Sequence, residues 1–133
     1  MTIGNITWRK ATIADGEALS DAVDMTGKRL VAIKQPADCE GTAFGLVASF
    51  DGAAGTFTAV YNAIQEATGA APVTALWEVT KSATVAQYIN LPDAFRVYGP
   101  THIKIQSENG SNAASNQTTA ASIWLGLEET TSS

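Results

Sequence analysis

A stretch in the first half of the chain alternates apolar with small or polar residues in the way that predicts a β-hairpin. Phe44, Leu46 and Phe50 fall on one side of a ribbon whose side chains repeat every two residues. Residues 51–55, Asp-Gly-Ala-Ala-Gly, supply the glycines and the aspartate that tolerate the left-handed backbone angles of a tight reversal. A second alternation runs from there to Tyr61. We therefore expect two antiparallel strands joined by a short turn.

The same alternation recurs along the rest of the chain and raises the number of predicted strands to eight. The six further strands cover residues 19–25, 30–35, 73–80, 85–89, 101–107 and 123–127. The apolar sides of the clearest strands predict a core that contains Phe44, Leu46, Phe50, Ile103, Ile105, Leu125 and Leu127. Residues 62–72 stay open, because Asn62 and Gly69 suit the two ends of a short helical turn and a long loop fits equally well.

Eight short strands with no sustained helical period predict an all-β fold. Two packed antiparallel sheets are the economical way for such strands to bury their apolar sides. Eight strands favour a jelly roll over a seven-stranded immunoglobulin-like sandwich, whose Cys…Trp…Cys spacing is absent. The expected fold is an eight-stranded antiparallel β-sandwich of jelly-roll type with an extended N-terminal arm.

The two ends of the chain are predicted to lie outside this sandwich. The first residues carry Ile3, Ile6 and Trp8 with imperfect alternation, so we interpret them as an extended arm, with a plain edge strand as the alternative. Inside the domain, the Ser-, Asn- and Thr-rich residues 108–120 predict a long flexible loop. We divide the chain into an N-terminal arm, a jelly-roll domain and a polar tail, at residues 1–15, 16–128 and 129–133.

Composition and charge narrow the classes of protein that fit. A chain of 133 residues forms one domain, and its charged fraction of 16% is low, as in strands with a Ser- and Thr-rich wet face. A net charge of −5 with scattered basic residues argues against a nucleic-acid partner. Cys39 is the only cysteine, so the chain is not a disulfide-stapled scaffold. Without a leader-like start or an apolar run of about 18 residues, we expect no secretion and no membrane partner.

The residue types that carry catalysis or bind metal are scarce. The chain has one histidine, His102, and one cysteine, which are too few for a zinc site and leave a nucleophilic triad a single possible base. Glu78 is the only carboxylate placed in mid-strand beside aromatic residues, and nothing in the sequence fixes the partner that a glycosidase would need. We therefore predict no catalytic residue, no metal site and no cofactor, and expect that the chain is not an enzyme.

The aromatic residues are the remaining candidates for binding. Trp77, Tyr88 and Trp124 could stack sugars in a cleft, but Trp77 falls on the apolar side of its strand and is assigned to the core. Trp124 alternates with apolar residues and is predicted to face outward, where a partner usually covers a tryptophan. The predicted partner interface consists of Trp124 and the arm residues Ile3, Ile6 and Trp8.

Several stretches resemble small virion proteins of tailed phages. The start of the domain carries Ala-Leu-Ser-Asp-Ala-Val-Asp-Met-Thr-Gly and then Leu-Val-Ala-Ile-Lys-Gln-Pro, and three later pieces fit the same pattern. The matching pieces are residues 18–27, 30–36, 49–61, 88–92 and 103–107, followed by a Ser/Asn/Gly loop. The resemblance as a whole covers roughly residues 16–127. The chain is similar in these pieces to jelly-roll accessory capsid proteins of the cement, decoration or head-stabilising type.

This resemblance implies a function without chemistry. The chain would decorate or cement a phage capsid by clamping neighbouring major capsid subunits, as a dimer or trimer on the exterior of the shell. It would be made in the host cytoplasm and end up in the virion. The alternative is a carbohydrate-binding module or the receptor-binding tip of a phage fibre.

Overall fold

The computed structural model describes residues 5–64, 67–109 and 113–130. Across these ranges the chain forms thirteen strands and one turn of 3-10 helix at Asp93–Phe95. The strands are β1 (Ile6–Ile13), β2 (Val23–Asp24), β3 (Lys28–Gln35), β4 (Ala43–Ser49), β5 (Thr58–Ala59), β6 (Tyr61–Ile64), β7 (Val73–Leu76), β8 (Glu78–Thr80), β9 (Gln87–Asn90), β10 (Val97–Tyr98), β11 (His102–Asn109), β12 (Ala113–Ala114) and β13 (Ala121–Glu129). The predicted all-β fold is confirmed.

The first sheet is built around the C-terminal strand. β13 pairs with β1 on one side and with β3 on the other, and both pairings are antiparallel. The far edge of β3 holds two short strands in succession, β9 beside residues 32–35 and β10 beside residues 29–30. This order brings both ends of the chain into one sheet.

The second sheet is built around β11 and β4, which pair antiparallel from His102 to Glu108. The other edge of β11 holds β2 near its start and β12 near its end. The other edge of β4 holds β8 and β5. Among the described residues, β6 and β7 pair with each other alone, as a two-stranded sheet. The predicted antiparallel sandwich is therefore confirmed.

Apolar side chains from both sheets form one core cluster between them. Because successive side chains of a strand point to opposite faces, every second residue of the long strands contributes to it. Ile33 of β3 and Ile123 of β13 join the predicted residues in this cluster. Six of the seven predicted core residues are at most 3% exposed: Phe44, Leu46, Ile103, Ile105, Leu125 and Leu127.

The prediction that Phe50 belongs to the core is wrong, since its side chain is 72% exposed. β4 ends at Ser49, whose hydroxyl donates to Asp51 Oδ1 and lies 2.8 Å from the carbonyl oxygen of Gly52. These turn contacts bend the chain before Phe50, so the period of two no longer carries this residue inward. The hairpin exists, but its two strands pair only at Val47–Ala59 and Ala48–Thr58.

The interpretation of the N-terminal residues as an arm is also wrong for residues 6–13. They form β1, which pairs with β13 from Ile6 to Ile13. Ala11 and Ile13 are fully buried, so the strand contributes to the core. The alternative, an edge strand, is therefore correct. β1 pairs along a free edge of β13 and places two apolar side chains in the core. Ile3 lies outside the described residues.

Trp77 divides the predicted strand at residues 73–80 into two. Its indole is fully buried, and Nε1 donates to the carbonyl oxygen of Phe95 at 2.9 Å. β7 before it pairs with β6, whereas β8 after it pairs with β4. The segment at residues 62–72 thus contributes, in its described part, to a hairpin. The strand predicted at residues 19–25 is reduced to β2 and two isolated bridges.

The predicted flexible loop at residues 108–120 is ordered in its described part. Gln117 is 1% exposed, and its side-chain amide donates to the carbonyl oxygen of Glu40 and to Ser107 Oγ at 3.0 and 2.8 Å. The same amide accepts the backbone N–H of Glu40 at 2.9 Å. One buried amide therefore ties this segment to the loop before β4. The sequence did not indicate that Gln117 is buried, because a single glutamine in a polar stretch is typical of a loop.

The core assignment can be tested with a matched pair of variants. Leu46→Ala and Ile105→Ala each remove buried methyl groups and should lower the free energy of unfolding by ~2–5 kcal/mol. Phe50→Ala removes an exposed ring and should change it by less than ~0.5 kcal/mol. Chemical denaturation measures all three. A larger loss for Phe50→Ala than for Leu46→Ala would mean that the faces of β4 are misassigned.

The role of β1 can be tested by two isoleucines of the same strand. Ile13→Ala should lower the free energy of unfolding by ~2–5 kcal/mol because the side chain is fully buried. Ile6→Ala should have an effect below ~0.5 kcal/mol because this side chain is 43% exposed. Urea titrations of the two variants compare them directly. Equal small effects would show that β1 behaves as an arm.

Candidate functional site

The outer surface of the first sheet carries a row of large side chains. Trp124 of β13 lies between Lys10 of β1 and Lys34 of β3, and Lys34 lies beside Tyr88 of β9. Trp8 of β1 is two residues further along the same face. Trp8, Lys34, Tyr88 and Trp124 line a shallow depression of about 360 Å³. We call these four residues the aromatic face.

A glycine allows Trp8 to lie across the sheet. Trp8 is the register partner of Gly126, and Gly126 pairs in turn with Ala32. A Cβ atom at position 126 would come within 3.1 Å of the Trp8 ring and 3.2 Å of the Ala32 side chain, which is closer than ordinary contact. The indole can therefore lie over Gly126 and meet the Tyr88 ring edge-on, with centroids 5.7 Å apart and planes at 61°.

The aromatic face is both apolar and positively charged. Trp8, Trp124 and Tyr88 are 38%, 40% and 58% exposed, which leaves much of each ring open to contact. Lys10 and Lys34 are exposed, and within the described ranges neither forms an ion pair with a carboxylate. The nearby acid of the same face, Glu128, is already paired with Arg29. A contiguous patch of this kind is typical of a surface that binds a partner.

The structure brings together part of the interface that the sequence predicts. Trp124 faces outward as predicted, and Trp8 lies near it. Ile6 is on the same face, in register with Glu128, while Ile3 lies outside the described residues. Trp77, weighed as a sugar-stacking residue, is in the core. Tyr88 joins the patch through a contact with Trp8 that no local pattern could reveal, since β1 and β9 are separated by two other strands.

A second feature lies on the outer surface of the second sheet, where Glu78 has a partner. Gly45 of β4 pairs with Glu78 of β8 on one side and with Gln106 of β11 on the other. Glu108, two residues further along β11, folds its carboxyl over Gly45, in the space that a Cβ would fill. Because Glu78 is the register partner of Gly45, its side chain shares this face with the Glu108 carboxyl. The sequence missed this partner because Glu108 fell in the predicted loop.

Glu108 is an unusual acid because it is 3% exposed. Burial first, and then the hydrogen bond and the charge of Glu78, raise the pKa of Glu108 from 4.5 to about 7. Gln106 Nε2 donates to Glu108 Oε2 at 3.3 Å, and the other oxygen, Oε1, has no hydrogen-bond donor in the part of the chain that the structure describes. Burial therefore favours the protonated form of Glu108.

This carboxyl pair does not have the geometry of a glycosidase. Such enzymes separate their two carboxyls by about 5 Å or more to make room for the sugar or for a water. Glu108 is buried, so its carboxyl is not open to a sugar or to an attacking water.

The other reactive side chains are also placed unfavourably for chemistry. Cys39 is fully buried, and burial raises the pKa of its thiol, which disfavours the reactive thiolate. His102 contacts the Thr101 hydroxyl through Nδ1 at 3.1 Å. Among the described residues, no group of three or more His, Cys, Asp and Glu side chains gathers to hold a metal ion.

Known families, characterised proteins and solved structures were each compared with the chain, and none of them matches it. Within residues 5–64, 67–109 and 113–130, no helix is long and apolar enough to cross a bilayer. The function must therefore be inferred from structural features, of which the aromatic face and the carboxyl pair are the main ones.

The raised pKa of Glu108 predicts how stability depends on pH. Between about pH 4.5 and 7 the folded state holds a proton that the unfolded state lacks, so raising the pH through this range should lower the free energy of unfolding. Below this range the stabilisation is complete, and above it the loss is complete. Glu108→Gln keeps a neutral side chain and should remove this contribution. Urea midpoints measured across the range give the comparison, and parallel curves for the two proteins would contradict it.

Proposed function

We propose that the chain is a virion structural protein that decorates or cements a phage capsid by binding neighbouring major capsid subunits. The aromatic face is the observation that carries the proposal, because it is a large, partly exposed aromatic patch built from side chains of paired strands. The sequence resemblance to accessory capsid proteins supplies the partner.

The strand order supports a jelly roll, a fold used by many capsid proteins. Short strands that share one sheet edge count here as one position, so that β9 with β10, β5 with β8, and β2 with β12 each form one. Numbered along the chain, the eight positions follow the order 1-8-3-6 in the first sheet and 2-7-4-5 in the second. Two Greek keys wrapped into two four-stranded sheets have this order.

The chemistry of the aromatic face suits adhesion to an acidic surface. Each large aromatic side chain can bury about 150–250 Å² on contact, and tryptophan and tyrosine are the commonest energetic centres of interfaces. Lys10 and Lys34 would pair with carboxylates of the partner, at the edges of the contact where such pairs favour orientation. The docked sheet needs no rearrangement, because Trp8, Tyr88 and Trp124 project from paired strands.

Repetition would make a modest contact sufficient. A shell presents many identical copies of its subunit, so a dimer or trimer of this chain could engage several neighbours at once and gain affinity from its linked contacts. We propose that the chain is made in the host cytoplasm, forms such an oligomer and binds the exterior of the assembled shell without a cofactor, a nucleic acid or a membrane.

Carbohydrate binding is the second candidate, and the arrangement of the aromatic rings favours it specifically. Tyr88 and Trp124 flank Lys34 across neighbouring strands, with Trp8 beside them, and exposed aromatic rings can stack on the apolar faces of sugars. The chain would then be a carbohydrate-binding module or the receptor-binding tip of a fibre. The two candidate functions can be distinguished with the same tryptophan variants, because one predicts loss of binding to shells and the other loss of binding to glycans.

The test is cosedimentation with capsids of the virus that encodes the chain, stripped of this protein. Wild-type protein should bind assembled shells and bind free capsid subunits poorly. Trp124→Ala and Trp8→Ala should each weaken shell binding by about tenfold or more, since truncation of a central interface tryptophan commonly costs more than 1.4 kcal/mol. Phe50→Ala, which removes an exposed ring elsewhere, should bind as wild type does.

The outcome separates the candidates. Full shell binding by the Trp8→Ala Trp124→Ala double variant would refute the proposed contact. Absence of wild-type binding to shells, together with glycan-array binding that both tryptophan variants lose, would establish the carbohydrate function instead. A thermal melt of each variant checks that the fold is intact.

A further inference from the structure

The first strand has a free edge. β1 lies at the end of the strand order in the first sheet and, among the described strands, pairs with β13 alone. The backbone groups of a strand point alternately to its two sides. The carbonyl oxygen of Asn5 accepts the N–H of Glu129 from the β13 side at 3.1 Å, and that of Thr12 accepts the N–H of Asp21 from the opposite side at 3.2 Å. The even-numbered residues of β1 therefore point their N–H and C=O groups away from β13.

Three of these even-numbered residues present unpaired backbone groups. The N–H and C=O groups of Ile6, Trp8 and Lys10 form no hydrogen bond with any residue in the described ranges. The Trp8 ring leaves them open, because it lies inward over Gly126. A depression of about 310 Å³ runs beside this edge, between residues 8–10 and residues 22–24. Open backbone groups of this kind are a template for a further strand.

We propose that this edge pairs with the same edge of a second copy of the chain, so that two copies join antiparallel along residues 6–10 into a symmetric dimer. The two-fold axis passes between the two Trp8 residues. Trp8 then pairs with Trp8 of the second copy, and Ile6 pairs with Lys10 at either end. Each of these pairs exchanges two backbone hydrogen bonds, as hydrogen-bonded pairs of antiparallel strands do.

The charges of the edge select this register. A register centred on Arg9 or on Lys10 would place two like charges directly opposite each other, which destabilises a strand pair. The register centred on Trp8 places Lys10 opposite Ile6 and Arg9 opposite Thr7, so that no cation faces another. A register centred on Thr7 also separates the charges, but within this edge it pairs only Ile6 with Trp8 and leaves Lys10 unused.

The outer side chains fit the same register. Ile6 is 43% exposed, and Lys10 is exposed beside it on the outer face. In the dimer the aliphatic stem of Lys10 would lie against Ile6 of the second copy, while its ammonium stays in water. The edge is thus complementary to itself, which is the property that a two-fold interface requires.

The contact is small, so the dimer should be weak. One short pair of strands buries well under the ~1,200 Å² of a standard interface, and we expect a dissociation constant of about 10–100 µM.

The dimer would carry both aromatic faces on one side. Because the two-fold axis is perpendicular to the sheet, the outer faces of the two first sheets form one continuous surface. This gives the oligomer of the proposed function an interface and provides two linked contacts. The inference rests on the proposed function only for that use. The pairing itself needs no capsid partner and can be measured in solution without shells, so either proposal can fail while the other holds.

Sedimentation velocity of the full chain between about 5 and 300 µM tests the pairing, and the wild type should shift from monomer to dimer across this range. Lys10→Pro removes the outward N–H, a change that edge strands tolerate, and should weaken dimerisation about tenfold or more because it deletes a hydrogen bond from both Ile6–Lys10 pairs. The matched control is Lys10→Ala, which keeps the N–H and should stay within about threefold of the wild type.

Ile6→Lys tests the register. It places a second cation opposite Lys10 of the other copy at both ends of the contact and should weaken dimerisation about fivefold or more. In its own chain the new lysine lies beside Glu128, the register partner of position 6, so the monomer should remain folded. A thermal melt of each variant checks this.

Several results would overturn the proposal. One is a wild type that stays monomeric at the highest concentration, which would leave the edge to a strand of a different protein. Others are a trimer, and a dimer that is equally stable in Lys10→Pro. A dimer that Trp124→Ala loses and Lys10→Pro keeps would show that the aromatic faces associate with each other instead. If Lys10→Pro fails to fold, Ile6→Lys still decides the question.

Discussion

The pairing of β13 with β1 and β3 is the interaction on which the rest of the molecule depends. β13 places Ile123, Leu125 and Leu127 in the core, and its opposite side forms the centre of the aromatic face. Because one strand lies between the first and the third, residues far apart in the chain become neighbours on the sheet. The core and the candidate interface are therefore two sides of the same strands, and loss of this pairing would remove both.

The local alternation of residues was enough to predict β3, β4, β11 and β13, whereas β1 was interpreted as an arm because its alternation is imperfect. Ile103 and Ile105 are buried as expected because each lies in an uninterrupted strand whose period of two continues through it. Phe50 shows that the alternation no longer predicts burial beyond the end of a strand. Its position fits the alternation, but the side chain of Ser49 bonds to the turn and changes the direction of the backbone before Phe50 is reached. Alternation is informative only while the strand lasts.

The sequence predicted only part of each candidate site, for a different reason. Trp124 could be assigned to an outer face from its own strand, whereas its neighbours come from strand order, which single-strand patterns do not contain. Glu108 was assigned to a flexible loop because polar residues follow it. Its burial depends on β4 and β8, which lie beside it only in the folded chain. Pairs that are remote in sequence are the part of a β-protein that local patterns leave undetermined.

Each of the two candidate features lies over a glycine inside a strand. Gly126 leaves room for the Trp8 ring on one outer face, and Gly45 leaves room for the Glu108 carboxyl on the other. Glycine weakens a strand interior, so its presence there indicates that a neighbouring group lies close to the backbone. In the first sheet the group is the aromatic ring of Trp8, and in the second it is the buried carboxyl of Glu108. The two features lie on opposite outer faces of the sandwich, with the hydrophobic core between them.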